Sequence, residues 1–388
     1  MEARVTSSMP GELSSRQMSY AEMKARSSRV HAIHVEHGGR VYEAARHWGI
    51  EPHEVLDFSA NINPLGPPQG VLSAIENSLT PIRLQVYPDV HNFVSAIAEK
   101  YRLMPDEIVV GSGVASLIFA VMHTLSPKRV LILEPAFAEY SRASVAVNAE
   151  IRTALLTEGT AFIPDFGSLI RDVKENQFDL VILNSPHNPT GVLYPRDALL
   201  SLIHAAAEHN AAVLLDEAFI DYASQKSLIS LAATKPHLIV LRSLTKFYAI
   251  PGIRIGYAVS NAKLAAKIKV QIDPWSVSTV ALEAGCAVLN EDEFGAESCR
   301  INASAREEFA GALRGIGLEV FPSAANFLLT KLPNGSGGDL QDWLDSERIL
   351  IRRCDSFHGL GEAFIRLAVR SSSDNDRLVS LIEKWLKG

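Results

Sequence analysis

A chain of 388 residues, 47% hydrophobic and 21% charged, can bury a large core, and its length suggests about two to three domains. The net charge of -7 leaves no basic footprint, which argues against a nucleic acid or an anionic membrane as partner, while local basic residues can still take a small acidic substrate. Three cysteines, Cys286, Cys299 and Cys354, show neither CxxC nor metal-ligand spacing and leave an odd count, so reduced thiols in the cytoplasm are expected, and no metal centre.

No run approaches the roughly 18 apolar residues of a membrane span. Residues 1–36 are rich in Ser, Arg and Met but lack the continuous apolar core of a secretory signal, and Glu2, Glu12 and Glu22 break the acid-poor pattern of a transit peptide. A flexible extension, or an arm over the surface, is expected there. HGGRVYEAARHWG then reads as a turn and a short amphipathic helix. LDFSANINPLGPP follows as an extended loop, since Pro64, Gly66, Pro67 and Pro68 forbid helix. Its Asn61 and Asn63 either cap turns in a plain connection or belong to a site.

Six short apolar runs come next, separated by helical patterns: EIVVG, RVLILEP, LVILN, AVLLDE, HLIVLRS and IRIGYAV. Most are continuous, as expected of strands covered on both faces, and the connections are long enough for crossover helices. The predicted build is a mostly parallel, doubly wound sheet, with ligands bound beyond the carboxyl ends of its strands.

The unusual residues fall at those ends. EIVVG enters a glycine turn, Gly111-Ser112-Gly113, feeding an apolar helix whose first amides can cradle a phosphate. Phe137 follows RVLILEP and can stack on a flat ring, although core packing is the commoner fate of a Phe. Asn188 precedes a Pro-Thr-Gly turn and can bond a ring oxygen. Asp216 ends four apolar residues, an expensive place for a carboxylate unless a cation faces it. Lys246 has Ser243 three residues before it and Arg254 eight after it, an arrangement suited to a phosphorylated aldehyde held as a Schiff base on the lysine. Cradle, stack, oxygen donor, nitrogen partner and lysine recur in chain order, which outweighs any one motif.

Beyond about Asn290 a charged helical stretch, LEVFPSAANFLL, a glycine-rich turn and a helix around DLQDWLDSE indicate a smaller α+β part. Arg352 and Arg366 lie beside apolar strand-like runs, where the planar fork suits a carboxylate or phosphate, or where surface ion pairs would account for both.

HGG, LDFSANINPLG, FAEY, NPTG, DEAFIDY, LRSLTKFYAIPGIRIGY, PWSVS and the ILIR to RLAVRS end together resemble the fold type I pyridoxal-phosphate enzymes, the aspartate aminotransferase superfamily, over nearly all of the chain after the extension. The resemblance implies a large cofactor-binding domain over residues 81–290 and a smaller domain made from 37–80 and 291–388. SANINPLG, HGG and Phe219 resemble more narrowly the phosphothreonine decarboxylases of the cobalamin pathway, relatives of the histidinol-phosphate aminotransferases. Lys246 would then carry pyridoxal 5'-phosphate, Asp216 would face the pyridine nitrogen, Asn188 the ring oxygen, and Phe137 would stack on the ring. Ser243, Arg254 and amides near Gly113 and Val114 would hold the cofactor phosphate, joined by the partner subunit's Tyr87 in a homodimer. Arg366, with Asn188 nearby, would meet the substrate carboxylate, and His37, Asn61 and Arg352 its phosphate. Phe219 stands where aminotransferases usually place a Tyr.

The implied reaction converts L-threonine O-3-phosphate to (R)-1-aminopropan-2-yl phosphate and carbon dioxide. Rivals are a histidinol-phosphate-type aminotransferase, a decarboxylase of phosphoserine or a phosphono-amino acid, and a catalytically silent binding or regulatory protein of the same fold. The chain departs from the family pattern at Val114 and Ala115, where polar side chains are more usual, at His187, where a second Asn is usual, and in its long extension.

Overall fold

The computed structural model describes residues 37–388; the extension expected over residues 1–36 lies outside them. A short helix, Val41–Trp48, is followed by strand β1 (Leu56–Asp57) and then the proline-punctuated loop. Prolines leave that loop extended, so its polar groups are free to bond other segments.

The main sheet contains β2 (Ile108–Gly111), β3 (Arg129–Glu134), β4 (Glu150–Leu155), β5 (Leu180–Asn184), β6 (Ala212–Asp216), β7 (Leu238–Ser243) and β8 (Gly256–Val259). Their order is β2-β8-β7-β6-β5-β3-β4. Strands β3 to β7 pair in parallel, whereas β8 runs antiparallel to both β7 and β2. All six apolar runs are strands, and every residue of β5, β6 and β7 is buried, as double coverage requires. Strand β4 was not among those runs. It lies at the edge, and its EIRTAL sequence is only partly buried, so it lacks the continuous apolar signature.

Alternation along the strands sorts the core into two layers. Val213, Leu215, Val240 and Tyr257 face one side; Leu214, Ile239, Leu241 and Ala258 face the other. Each buried Val, Leu or Ile among them contributes roughly 1.5–3 kcal/mol of apolar burial.

The carboxy-terminal part adds β9 (Glu319–Val320), β10 (Phe327–Lys331), β11 (Ile349–Leu350), β12 (Arg352–Arg353) and β13 (Phe364–Ala368). Four of these form an antiparallel sheet, β12-β13-β10-β9, while β11 pairs in parallel with β1. Phe58 enters the same core as Phe309, Leu340 and Leu378, which come from three helices, Asp292–Gly315, Gly337–Asp345 and Ser372–Lys387. The helix Gln69–Ser78 packs instead on the helix Thr279–Val288. Among the described residues no helix is long and apolar enough to cross a membrane.

Candidate active site

Because β2, β3, β5, β6 and β7 point the same way, their carboxyl ends meet along one edge of the sheet. A cavity with about 500 Å³ of empty space opens there. Val114, Phe137, Asn188 and Asp216 line it on one part of the chain, and Phe219, Ser243, Lys246 and Arg254 on the next. Eight residues singled out from the sequence thus converge on one cavity.

One corner is built for an anion. Gly113 has φ +81°, and the helix Val114–Leu125 starts directly after it, presenting first-turn N–H groups that have no partner within the helix. A Cβ on Gly113 would lie 2.4 Å from Nη2 of Arg254, so a larger residue there would push that guanidinium aside. Ser243 Oγ and Thr245 Oγ1 stand 2.9 Å apart beside it.

The opposite corner is a buried carboxylate. Tyr140 donates its hydroxyl to Asp216 Oδ2 at 2.7 Å, and the Ala218 N–H donates to Oδ1 at 2.9 Å. Burial nevertheless raises the Asp216 pKa, although Tyr140, Lys246 and the Ala218 amide favour the carboxylate. A cationic partner would offset that burial. The side chain of Asn184 secures the site from β5, donating to Asp216 O at 2.7 Å and accepting the Asn188 N–H at 2.7 Å.

Lys246 lies between these corners. Among the described residues its Nζ makes only long contacts, 3.4 Å to Ser243 Oγ and 3.5 Å to Thr245 Oγ1. Burial lowers its pKa to about 8; Asp216 opposes the shift, while Arg254 and Arg366 reinforce it. A weakly bonded amine with that acidity is a competent nucleophile and proton carrier. The proline-punctuated loop fixes its backbone: the Asn63 N–H donates to Lys246 O at 3.0 Å, and Asn63 Nδ2 donates to Phe247 O at 2.8 Å. The Asn63 side of the open reading is thereby decided, since Asn63 straps the lysine segment.

The remaining candidates are not among the residues that line this cavity. Arg366 is buried, donates to Asn188 Oδ1 and to Ser59 O, and lies close enough to Lys246 to lower its pKa. His37 contacts Glu139 Oε1 at 3.0 Å, its ring 5.7 Å from that of Phe137. It lines a neighbouring cavity together with Ser59 and Arg352. Arg352 donates to Ser356 Oγ at 2.8 Å and lies over the Phe357 ring. Both Arg352 and Arg366 are buried, so neither is a surface ion-pair residue. Asn61 is buried too, and its Oδ1 has no protein partner among the described residues. Tyr87 is not brought to the cavity within this chain; it is 73% exposed and stacks on Trp275 at 4.1 Å.

The family described as aminotransferase class I and II matches residues 53–382. The chain belongs to this family. Among its aminotransferase-family relatives, a threonine-phosphate decarboxylase of Salmonella typhimurium is 38% identical over 357 residues, covering 91% of this chain and 97% of that one. A histidinol-phosphate aminotransferase of Mycobacterium tuberculosis is 34% identical, covering 86% and 88%. A solved histidinol-phosphate aminotransferase from Clostridium acetobutylicum superposes with a TM-score of 0.79 at 32% identity, covering 85% of this chain and 98% of its own.

Three polar contributors to the cavity escaped the sequence reading: Tyr140, Asn184 and Thr245. Asn184 carried the same signal as Asp216, a polar residue closing an apolar strand. Tyr140 lies one helical turn after Phe137, which places both on one face. Thr245 lies between two residues already singled out.

Proposed function

We propose that this protein holds pyridoxal 5'-phosphate at the strand ends and removes carbon dioxide from an O-phosphorylated amino acid, L-threonine O-3-phosphate foremost. The observation that carries this reading is the 38% identity, over nearly the whole of both chains, to a protein named a threonine-phosphate decarboxylase. The product would be (R)-1-aminopropan-2-yl phosphate, a precursor for cobalamin, made in the cytoplasm.

The cavity suits the cofactor. Gly113 leaves room beside Arg254, Ser243 and Thr245 add hydroxyls, and a helix start adds amides, a donor set for a phosphate. Asp216 offers a buried carboxylate to a ring cation, Phe137 an aromatic face, and Lys246 an amine. Bound there, the cofactor supplies an electron sink for the substrate's α-carbon. Tyr140 and the Ala218 amide orient Asp216 and favour its carboxylate form against the burial that raises its pKa. Lys246, with its pKa near 8, can give a proton to the α-carbon after carbon dioxide leaves. Arg366, its pKa lowered by burial to about 10, stays charged at neutral pH and meets the substrate carboxylate. His37, Asn61 and Arg352 take the substrate phosphate. Anchoring both ends of the substrate selects which α-carbon bond is presented for cleavage. Phe219 leaves the ring oxygen to Asn188 alone, without a phenolic donor.

We further propose a homodimer. Ile82 and Leu84 are 67% and 61% exposed, and Tyr87 and Trp275 form an exposed stack. A second copy would cover this apolar surface and bring each Tyr87 to the other subunit's cofactor phosphate.

A second reading, a histidinol-phosphate aminotransferase, is favoured by the 34% identity to the mycobacterial protein and by the clostridial structure. The two separate in one experiment: cofactor-loaded protein is mixed with phosphothreonine, phosphoserine or histidinol phosphate while carbon dioxide and the cofactor spectrum are followed. Carbon dioxide release from phosphothreonine, with the starting spectrum restored, is expected. Conversion to pyridoxamine phosphate without carbon dioxide refutes the decarboxylase and leaves the aminotransferase.

A further inference from the structure

Neighbouring residues on a strand face opposite ways, so Asp216-Glu217 and Arg242-Ser243 each put one side chain at the cavity and the other behind the sheet. Asp216 and Ser243 line the cavity, whereas Glu217 and Arg242 lie on the far side, each only 1% exposed. The backbone ladder continues one residue past β6, the Glu217 N–H donating to Leu241 O at 3.0 Å. The charged groups behind the sheet therefore lie directly beneath the site.

Arg242 is the largest fully buried side chain of the described residues. Its Nη2 ion-pairs with Asp221, its Nη1 lies 3.9 Å from Glu217 Oε2 and 3.5 Å from Ser227 Oγ, and its guanidinium covers the Tyr101 ring at 5.5 Å. Glu217 in turn accepts the Leu228 N–H at 2.7 Å and the Ser227 hydroxyl. One guanidinium on β7 thus gathers the segment from Glu217 to Leu228, which follows Asp216 and carries Ala218 and Phe219 into the cavity.

A buried ion cluster adds little net stability over apolar packing of the same volume. It does impose direction, because the planar fork accepts carboxylates only in certain places. We propose that Arg242, through Asp221 and Glu217, is a positioning residue: it ties the end of β6 to the end of β7 from behind and holds Asp216 and Lys246 at their spacing across the cavity. The inference rests on the proposed function for its consequence in catalysis but not for the tie itself. Misplacement of a reacting group by about 1 Å can slow a reaction by about a hundredfold, so such a tie matters to the reaction while touching none of it.

Two variants test it. Arg242→Lys keeps a charge but loses the fork; the triple variant Arg242→Met, Asp221→Asn, Glu217→Gln removes the charges together, so that no buried carboxylate is stranded. Amide hydrogen exchange on the cofactor-free protein is read at residues 216–219 and 243–247, with β5 as the internal reference. In the triple variant exchange in those two segments is expected to rise about tenfold while β5 is unchanged, with a smaller rise in Arg242→Lys. The dissociation constant for pyridoxal 5'-phosphate, read from its visible band, is expected to rise in the same order. Wild-type protection of both segments in either folded variant overturns the tie. A wild-type protein that binds no pyridoxal phosphate sinks the functional reading instead, and the exchange measurement still decides the tie.

Discussion

Replacing Lys246 with methionine in the cofactor-free protein is expected to stabilise it at neutral pH, because the site carries a penalty that only its ligand relieves. Burial lowers the lysine pKa from 10.5 to about 8. Below pH 8 the amine is charged in both folded and unfolded chains, so the whole penalty is present, amounting to about 3 kcal/mol at 1.36 kcal/mol per pH unit. Relaxation of the folded chain around the charge offsets part of it, which leaves about 1.5–3 kcal/mol. The sign with pH follows from proton binding: between pH 8 and 10.5 the unfolded chain holds more protons than the folded one, so the wild type gains stability as pH rises. The advantage of Lys246→Met is therefore full at pH 7, shrinks above pH 8 and is gone by about pH 10.5. Thermal midpoints of the two cofactor-free proteins at pH 7 and at pH 10.5 measure it, with about 2 °C expected per kcal/mol in a chain of this size. Pyridoxal phosphate should reverse the order by stabilising the wild type more than the variant, which lacks the amine that bonds the aldehyde. A variant no more stable than wild type at pH 7, or an advantage that persists undiminished in alkali, refutes the reasoning.

Tyr140→Phe deletes one oxygen and little volume, leaving the buried Asp216 without its 2.7 Å donor. A hydrogen bond to a charged group contributes about 1.5–3 kcal/mol, so cofactor affinity is expected to fall at least tenfold, measured by titrating the visible band. Asn63→Ala strands the Phe247 carbonyl and removes the bond to Ser298 Oγ, while the backbone bond to Lys246 O survives, and urea unfolding is expected to show a loss of about 1–3 kcal/mol.

What could be read from the chain divides along a physical line. Strands buried on both faces announce themselves as unbroken apolar runs, and a charged or amide residue closing such a run has few reasons to be there; Asp216 stood out on that ground, and Lys246 by its spacing from Ser243 and Arg254. Edge strand β4, half wet, gave no such run. Tyr140 was hidden for another reason: an aromatic side chain within a helix reads as core until the carboxylate it bonds, 76 residues away, is in view. Arg242 was hidden likewise, since its partners Asp221 and Glu217 come from a different strand end. Local pattern exposes a residue that violates its own surroundings; it does not expose one satisfied by a distant segment.

Arg366 brings the proposed chemistry to its hardest point. A guanidinium that gripped the substrate carboxylate with its whole fork would stabilise the group that must depart as neutral carbon dioxide, and ground-state grip of that kind raises the barrier. In this structure the fork is already shared: Nη1 donates to Asn188 Oδ1 and Nη2 to Ser59 O. A carboxylate arriving there must compete with two protein acceptors, so its contact is weaker than a free bidentate pair and less is lost when it leaves. The same sharing couples the carboxylate site to Asn188, the residue proposed to bond the ring oxygen. Asn188 would donate to the ring oxygen through Nδ2 while its Oδ1 holds Arg366, so substrate binding that draws Arg366 away would loosen the contact that orients this amide.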